Sequence, residues 1–335
     1  MNPSRESTVS QPKVSILIPT YNYARYLPDA IESVLGQDFH DLEVVIVDDC
    51  SQDNSAEVIQ RYAGLDPRIR FHLNRQNLGL VQNWNFCLAQ ARGLYVKFLF
   101  GDDVFCSPRT VSVLVALMES HPSVVLATSA RRVIDTDSRS VDLWDQLGRA
   151  GVYPGRPMIA RCLAENSNII GEPSAVLFRR QDAARGFNPQ YRQWVDLELW
   201  IHLLERGDLA YCPEPLCCFR RHEHQQTAVN RQLWVGEREG LRLLREYCFK
   251  PWIDRRVFRE RMFRELYYYR RQHPSYRAYC EDPEDLMRLL GRGWYFVYWV
   301  RRNLTKALVT FRHNWQRHVL ERRPVLPRWR NRRPG

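Results

Sequence analysis

From Lys13 the chain alternates short apolar runs with amphipathic stretches. Val14-Ser-Ile-Leu-Ile-Pro19 is short, β-branched, apolar and stopped by proline, which predicts a buried strand. Leu27, Ala30, Ile31, Val34 and Leu35 then recur at helical spacing between Tyr26 and Leu35. Leu42-Glu-Val-Val-Ile-Val47 predicts a second buried strand, closed by Asp48 and Asp49. A helix follows over Asp53 to Tyr62, with Ser51 or Asp53 as its N-cap. The pattern continues with a strand at Ile69 to Leu73, a helix at Leu80 to Ala91 and a strand at Leu94 to Phe100. A helix opened by Pro108 and a strand at Val124 to Thr128 complete the alternation.

Strands separated by single helices imply right-handed β-α-β crossovers, hence an α/β fold with a mostly parallel sheet. In such sheets ligands gather beyond the carboxyl ends of the strands. Thr20, the Asp48-Asp49 pair and the Asp102-Asp103 pair all fall at such ends. After Val133 the alternation weakens. Asp135 to Pro157 reads as loop, Pro157 to Ala164 as helix and Ser174 to Phe178 as strand. Asp196 to Arg206 reads as a helix with Leu197, Trp200, Ile201 and Leu204 along one stripe. Leu216 to Phe219 is the last expected strand, and from Gln232 the chain is helical, aromatic and rich in arginine.

At 335 residues, with 44% hydrophobic and 26% charged positions, the chain has the length and composition of a soluble globular protein of one or two domains. Met1 to Pro12 is polar, predicts disorder and lacks the apolar core of a signal peptide. No run reaches the roughly 18 apolar residues that span a bilayer. Nine cysteines without CxxC spacing argue against a zinc site or a disulfide framework and fit a reducing cytoplasm. The charge is uneven: residues 231–335 carry 26 Lys+Arg and 11 Asp+Glu, a balance of +15, against 23 and 27, or −4, for residues 1–230. That basic third interleaves arginine with Trp252, Phe258, Tyr267, Trp294, Tyr298 and Trp299. An anionic membrane surface suits it, as does packing on the body of the protein; nucleic acid suits it less, because no known binding motif accompanies the charge.

Each polar cluster at an element end has a structural and a chemical reading. Pro19-Thr20-Tyr21-Asn22 is a turn, or a place where Thr20 and Tyr21 flank a nucleotide base. One of Asp48 and Asp49 can cap the following helix while the other accepts the imide N–H of a uracil ring. Asn74 to Gly79 is a glycine-containing turn or a loop beside that base. Phe98-Leu-Phe-Gly-Asp-Asp103 ends an apolar strand in two adjacent carboxylates, whose mutual repulsion a hard divalent cation would relieve. Asp196 either stabilises a helix N-terminus or serves as a general base; its free pKa of about 3.9 would rise on enclosure. Arg220-Arg221-His222-Glu223-His224 has a His-x-His spacing but no further ligands for zinc, so Arg221 and His222 fit better beside a diphosphate.

Taken together, Val14 to Thr227 resembles the inverting glycosyltransferases of family 2, which have the GT-A fold. The resemblance rests on Ile18-Pro-Thr-Tyr-Asn22, Ile46 to Asp53, Asn77-Leu-Gly79, Phe98 to Asp103, Gly171-Glu-Pro-Ser174, Asp196-Leu-Glu-Leu-Trp200 and Glu214 to His222. It implies a GT-A domain over residues 13–230, with a nucleotide-sugar half (13–128), an acceptor half (129–230) and a helical, Arg-rich extension (231–335). It further implies a nucleoside-diphosphate sugar donor, with UDP favoured, and Mg²⁺ or Mn²⁺. The acceptor would be a saccharide or lipid-linked hydroxyl, in the cytoplasm or on the inner face of the membrane. By the same resemblance Thr20, Tyr21 and Asp49, with Asp48 as a lesser candidate, contact the nucleoside, and Asp102 touches the ribose or the sugar. Asp103 binds the metal, Arg221 and His222 steady the diphosphate, Asp196 is the base, and Glu172 and Glu198 lie on the acceptor side. One departure stands out: many members have an acid where this chain has Phe100, which leaves fewer protein oxygens for the metal. A nucleotidyltransferase would carry a Gly-rich basic loop where Pro19 to Asn22 stands, and a dinucleotide enzyme would show GxGxxG; neither is present. A non-catalytic basic scaffold on the same fold is the remaining alternative.

Overall fold

The computed structural model describes residues 11–223, 225, 227, 230, 233, 235–247 and 249–254, with isolated positions at 259, 261, 293, 296, 297, 299, 300, 303 and 304. Contacts divide the chain into one compact unit ending at Phe258 and a second from Arg259 to Gly335. The expectation of a disordered N-terminus falls, up to residue 10, outside the described residues, as does most of the expected C-terminal helical extension.

In the first unit the elements run β1 (Val14–Thr20), α1 (Leu27–Leu35), β2 (Leu42–Asp48), α2 (Ser55–Leu65), β3 (Ile69–Leu73), α3 (Leu80–Gln90), β4 (Tyr95–Phe98), β5 (Val104–Phe105) and α4 (Thr110–Ser120). They continue with β6 (Val124–Ile134), β7 (Ser140–Trp144), β8 (Gly151–Tyr153), α5 (Gly155–Glu165), β9 (Leu177–Arg179), α6 (Val195–Leu204), β10 (Asp208–Arg220) and α7 (Val235–Tyr247). All positions of β1 and β2 are buried, as expected for strands covered by helices on both faces. Ile16, Ile18, Val44, Ile46, Ala30, Ile31, Val34 and Leu114 share one apolar core, each such side chain contributing roughly 1.5–3 kcal/mol when fully buried.

The sheet order is β3-β2-β1-β4-β9-β6-β10-β5, with β7 on β6 and β8 on β10. The expected parallel pairing holds for β3, β2, β1 and β4 and for β6 with β10. The sheet as a whole is mixed, because β9 runs antiparallel between β4 and β6 and β5 antiparallel to β10. The expected strand at Ser174 begins only at Leu177, because Pro173–Ala175 winds into a 3-10 turn. The stretch read as loop contains β7 and β8, whose Val141 and Leu143 are exposed and so give no buried-strand signal. β10 is much longer than the expected Leu216 to Phe219: Pro213 and Pro215 interrupt its apolar pattern, and its pairing with β6 shifts register there.

This topology brings the ends of β1, β2 and β4 to one edge, and the end of β10 returns beside β4. α7 follows β10, beyond residue 230. Its buried Glu239 accepts the backbone N–H groups of Arg192 (2.6 Å), Gln193 (2.8 Å) and Trp194 (2.9 Å), and Trp194 Nε1 donates to the Gly236 carbonyl at 2.6 Å. The segment that leads into α6 is therefore held by a helix far along the chain. Glu239→Ala leaves three amide donors without their acceptor and is expected to lower stability by ~3 kcal/mol, read as a lower denaturation midpoint at unchanged m-value. Unaltered stability would mean that α7 does not clamp this segment.

Candidate active site

The loops after β1 and β2 are tied together. Asn22, at φ 57°, donates its N–H to Ser51 Oγ (2.8 Å) and accepts the Gln52 N–H on Oδ1 (2.7 Å), while Asp53 accepts the Ala24 N–H (2.9 Å). Asp48 accepts both the N–H and the hydroxyl of Ser51, so it organises the local turn. Asp53 accepts the Ser55 N–H and hydroxyl, but the N-cap of α2 is Asn54, without a side-chain cap hydrogen bond, rather than the expected Ser51 or Asp53, because the helix begins only at Ser55. Tyr21 is 44% exposed, leaving its ring open to a ligand, whereas Thr20 is buried and its hydroxyl has no partner.

Asp49 reaches across to the turn before α3. Its Oδ1 accepts Asn74 Nδ2 (3.0 Å) and the Leu78 N–H (2.8 Å), and its Oδ2 accepts the Gly79 N–H (2.9 Å). Gly79 sits at φ 81°, a conformation that favours glycine. The Asn74 to Gly79 turn is therefore shaped by Asp49, and Oδ2 retains a lone pair for one further donor.

At the end of β4 the two carboxylates diverge. Asp102 Oδ2 lies 3.0 Å from His222 Nε2. Asp103 Oδ1 accepts the Arg220 backbone N–H at 2.9 Å, while its Oδ2 is buried with no hydrogen-bond partner. Burial and the adjacent Asp102 charge hold the Asp103 carboxyl well above the usual carboxylate range. Gly101 is required by close approach, since a Cβ there would stand 2.7 Å from Thr20 Oγ1. Arg220 is fully buried and fastens this corner: Nε donates to the Asp102 carbonyl (2.7 Å), Nη1 to Ser138 Oγ (2.9 Å), and Nη2 reaches Asp29 (3.3 Å) over the Tyr26 ring. His222 stacks on Tyr26 at 5.6 Å and meets Tyr23 edge-on. Arg221, by contrast, is exposed and donates its backbone N–H to Ile134. Phe100, in place of the expected acid, stacks on Trp84 at 4.8 Å.

Asp196 lies in the first turn of α6. Asn168 Nδ2 donates to its Oδ2 (2.8 Å) and the Leu197 N–H to its Oδ1 (2.7 Å). Enclosure, reinforced by the Glu172 charge, pushes this carboxyl up to about 7. The Glu172 charge also acts on Asp103 in the same direction, so both carboxyls lie within electrostatic reach of Glu172. Glu172 pairs with the buried Arg131 at 2.9 Å. Glu198, expected on the acceptor side, is instead held in a two-oxygen ion pair by Arg185 at 3.0 Å.

Four residues of this region escaped sequence reading. Lys97, inside an apparently apolar strand, is fully buried, and burial pushes its ammonium down to about 8. Arg131 and Arg220 sit in strands and look like ordinary surface charges until their partners are known. Glu239 lies outside the region of resemblance. The one available signal was Arg220, part of the basic run before His222.

The arrangement unites a nucleoside-sized loop pair, a buried acid pair with a histidine, and a carboxylate poised to take a proton near neutrality. The comparisons agree. Residues 15–184, just over half of the chain, match the family Glycosyl transferase family 2. An uncharacterized protein of Mycobacterium tuberculosis (strain CDC 1551 / Oshkosh) is 34% identical over 226 residues, covering 64% of this chain and 68% of that one. TuaG of Bacillus subtilis (strain 168), a protein named for teichuronic acid biosynthesis, is 27% identical over 236 residues, covering 70% and 88%. Among solved structures, S. aureus TarS 1-349 in complex with UDP-GlcNAc superposes with a TM-score of 0.63 at 16% identity, over 84% of this chain and 82% of that one. The mannosyltransferase PcManGT of Pyrobaculum calidifontis, in complex with GDP-Man and Mn²⁺, superposes with a TM-score of 0.53 at 16% identity, over 90% and 87%. The sheet is thus of the GT-A-like kind, and the chain belongs to glycosyl transferase family 2 and is a glycosyltransferase.

Proposed function

We propose that this enzyme is metal-dependent and inverting, and moves a sugar from a UDP-sugar to a hydroxyl of a saccharide or lipid-linked acceptor during surface polysaccharide assembly. The observations that carry this reading are the buried, unpartnered Asp103 Oδ2 beyond β4 and the Asp196 carboxyl held by Asn168 and the Leu197 amide, both within reach of the Glu172 charge. The names of TuaG and of the S. aureus complex support the substrate class.

A divalent cation, Mg²⁺ or Mn²⁺, fits the end of β4. Asp103 Oδ2 is buried without a partner, and Asp102 and His222 bring an oxygen and a nitrogen together beside it. Asp103 would hold the cation with phosphate and water completing the shell, since among the described residues no group of three or more His, Cys, Asp or Glu could hold a metal ion. When bound, the cation supplies positive charge to the departing diphosphate.

The chain's own residues do the rest. Tyr21 offers its exposed ring to the base, and Asp49 keeps one lone pair for the imide N–H. Asn168 and the Leu197 amide orient Asp196, whose ionised carboxylate takes the proton from the acceptor hydroxyl. That oxygen attacks the anomeric carbon from the face opposite the diphosphate, so the anomeric configuration inverts.

Asp196→Asn is expected to lower kcat by about 10²–10⁴-fold with donor KM little changed, read as nucleotide release from a UDP-sugar; an unchanged kcat would remove Asp196 as base. Only the ionised form accepts the proton, so kcat/KM should rise with pH to a plateau above about 7. An acid limb near the free-carboxylate value of about 4 would place the base elsewhere. In calorimetry, Mn²⁺ should tighten UDP binding to the wild type by about tenfold or more and to Asp103→Asn hardly at all; an equal gain in both would leave Asp103 a structural residue. In the second unit Phe296, Val297, Trp299 and Leu304 are exposed, within the stretch that carries the +15 balance. We therefore expect the full chain to float with anionic vesicles and not with neutral ones. Equal recovery with both would contradict docking on a charged membrane.

A further inference from the structure

Beyond the groups assigned above, a buried arginine stands one contact away from the reacting carboxylates. Arg131, on β6, is 1% exposed. Its Nε donates to Glu172 Oε2 at 2.9 Å, its Nη1 to Gln146 Oε1 at 2.9 Å, and its guanidinium lies 5.7 Å from the Trp144 ring centroid. Glu172 is joined to Gly171, whose carbonyl accepts Trp200 Nε1 (2.9 Å) and Asn168 Nδ2 (3.0 Å). The same Asn168 amide donates to Asp196 Oδ2 at 2.8 Å. Gly171, at φ +129°, packs so tightly that an added Cβ would stand 3.2 Å from Ala175 Cβ and 3.5 Å from Arg131 Cδ. Glu172 is thus anchored on Arg131, and its neighbour Gly171 shares the Asn168 amide with Asp196.

Stability alone does not account for this pair. Two ions taken out of water lose about as much in hydration as they gain from each other, and apolar replacements of equal shape are often as stable. What distinguishes the pair is its place. A carboxylate beside a general base opposes ionisation of that base unless its own charge is compensated.

We propose that Arg131 is a positioning residue of the transfer reaction: by clamping Glu172 it fixes that carboxylate beside Asp196 and cancels its charge. The claim rests on Asp196 being the base. The other titratable groups around the set are Asp103 and the Cys217 thiol, both facing Glu172, and Tyr211 with its partner Asp145 on the far side of Arg131. Asp196 itself meets the neutral Asn168 amide and a backbone N–H.

The test is the pH profile of kcat/KM, read as nucleotide release from a UDP-sugar, for wild type, Arg131→Met, Glu172→Gln and the double variant. Arg131→Met should move the acid limb up by about one pH unit or more, because Glu172 is left uncompensated. Glu172→Gln should move it down. The double variant, with both charges gone, should lie near the wild-type limb and above that of Glu172→Gln, in which Arg131 is left as an uncompensated cation. An unmoved limb in Arg131→Met, or a double variant with the Arg131→Met limb, overturns the proposal. Should Arg131→Met fail to fold, Arg131→Lys keeps the charge and loses the fork; it should lower kcat with its limb near the wild-type position, and a limb displaced as far as one unit would refute the charge-cancelling role. Asp196→Asn separates the two levels. If it stays active, the base assignment fails; if it is inactive while Arg131→Met keeps the wild-type limb, this proposal alone fails.

Discussion

Two adjacent carboxylates buried at the end of β4 are the constraint around which the first unit is arranged. Like charges in a poorly hydrated corner repel, and burying them costs several kcal/mol unless they are compensated or protonated. The fold answers with contacts drawn from distant parts of the chain. The Arg220 amide takes one oxygen of Asp103, its guanidinium takes the Asp102 carbonyl, and His222 faces the Asp102 carboxylate. One oxygen of Asp103 stays unmatched, and under the proposed cation binding that residual cost would supply driving force.

The same economy appears at the base. Asp196 carries a carboxyl raised to about 7. Its folded value lies above its unfolded one, so the charged carboxylate opposes folding: the cost sets in as pH rises above the unfolded value and is complete above about 7. On the proposed reading of Asp196 as base, that destabilisation would suit it to accept a proton near neutrality; the Glu239 clamp and the Asn168 amide hold the segment and the carboxyl in place.

Much of the framework was legible from local pattern. β1, α1, β2, β3 and α3 lie within a residue or two of where apolar spacing put them; β1 and β2 bury every position, and α1 buries Leu27, Ala30, Ile31 and Val34 at helical spacing. Where the pattern failed, the cause was long-range. The direction of β9 is not written in its three residues, the prolines of β10 hide a strand that bulges around them, and exposed β7 has no apolar alternation to detect. The site divides the same way. Asp48, Asp49, Asp102, Asp103 and Asp196 were visible as acids at element ends. Arg131 and Arg220 were not, because a buried arginine is recognised only by partners such as Asp29, which lies 191 residues from Arg220. Glu198 was visible as an acid close to Asp196, but its ion pair with Arg185 was not.

The central claim is that Asp103 and Asp196 share one cavity built for a cation-held nucleotide. The most direct measurement is anomalous scattering from Mn²⁺ in crystals grown with UDP. The account predicts a manganese peak against Asp103, with the diphosphate running toward Asp196. A peak elsewhere on the protein, or a nucleotide bound away from the ends of β1 and β4, would contradict it.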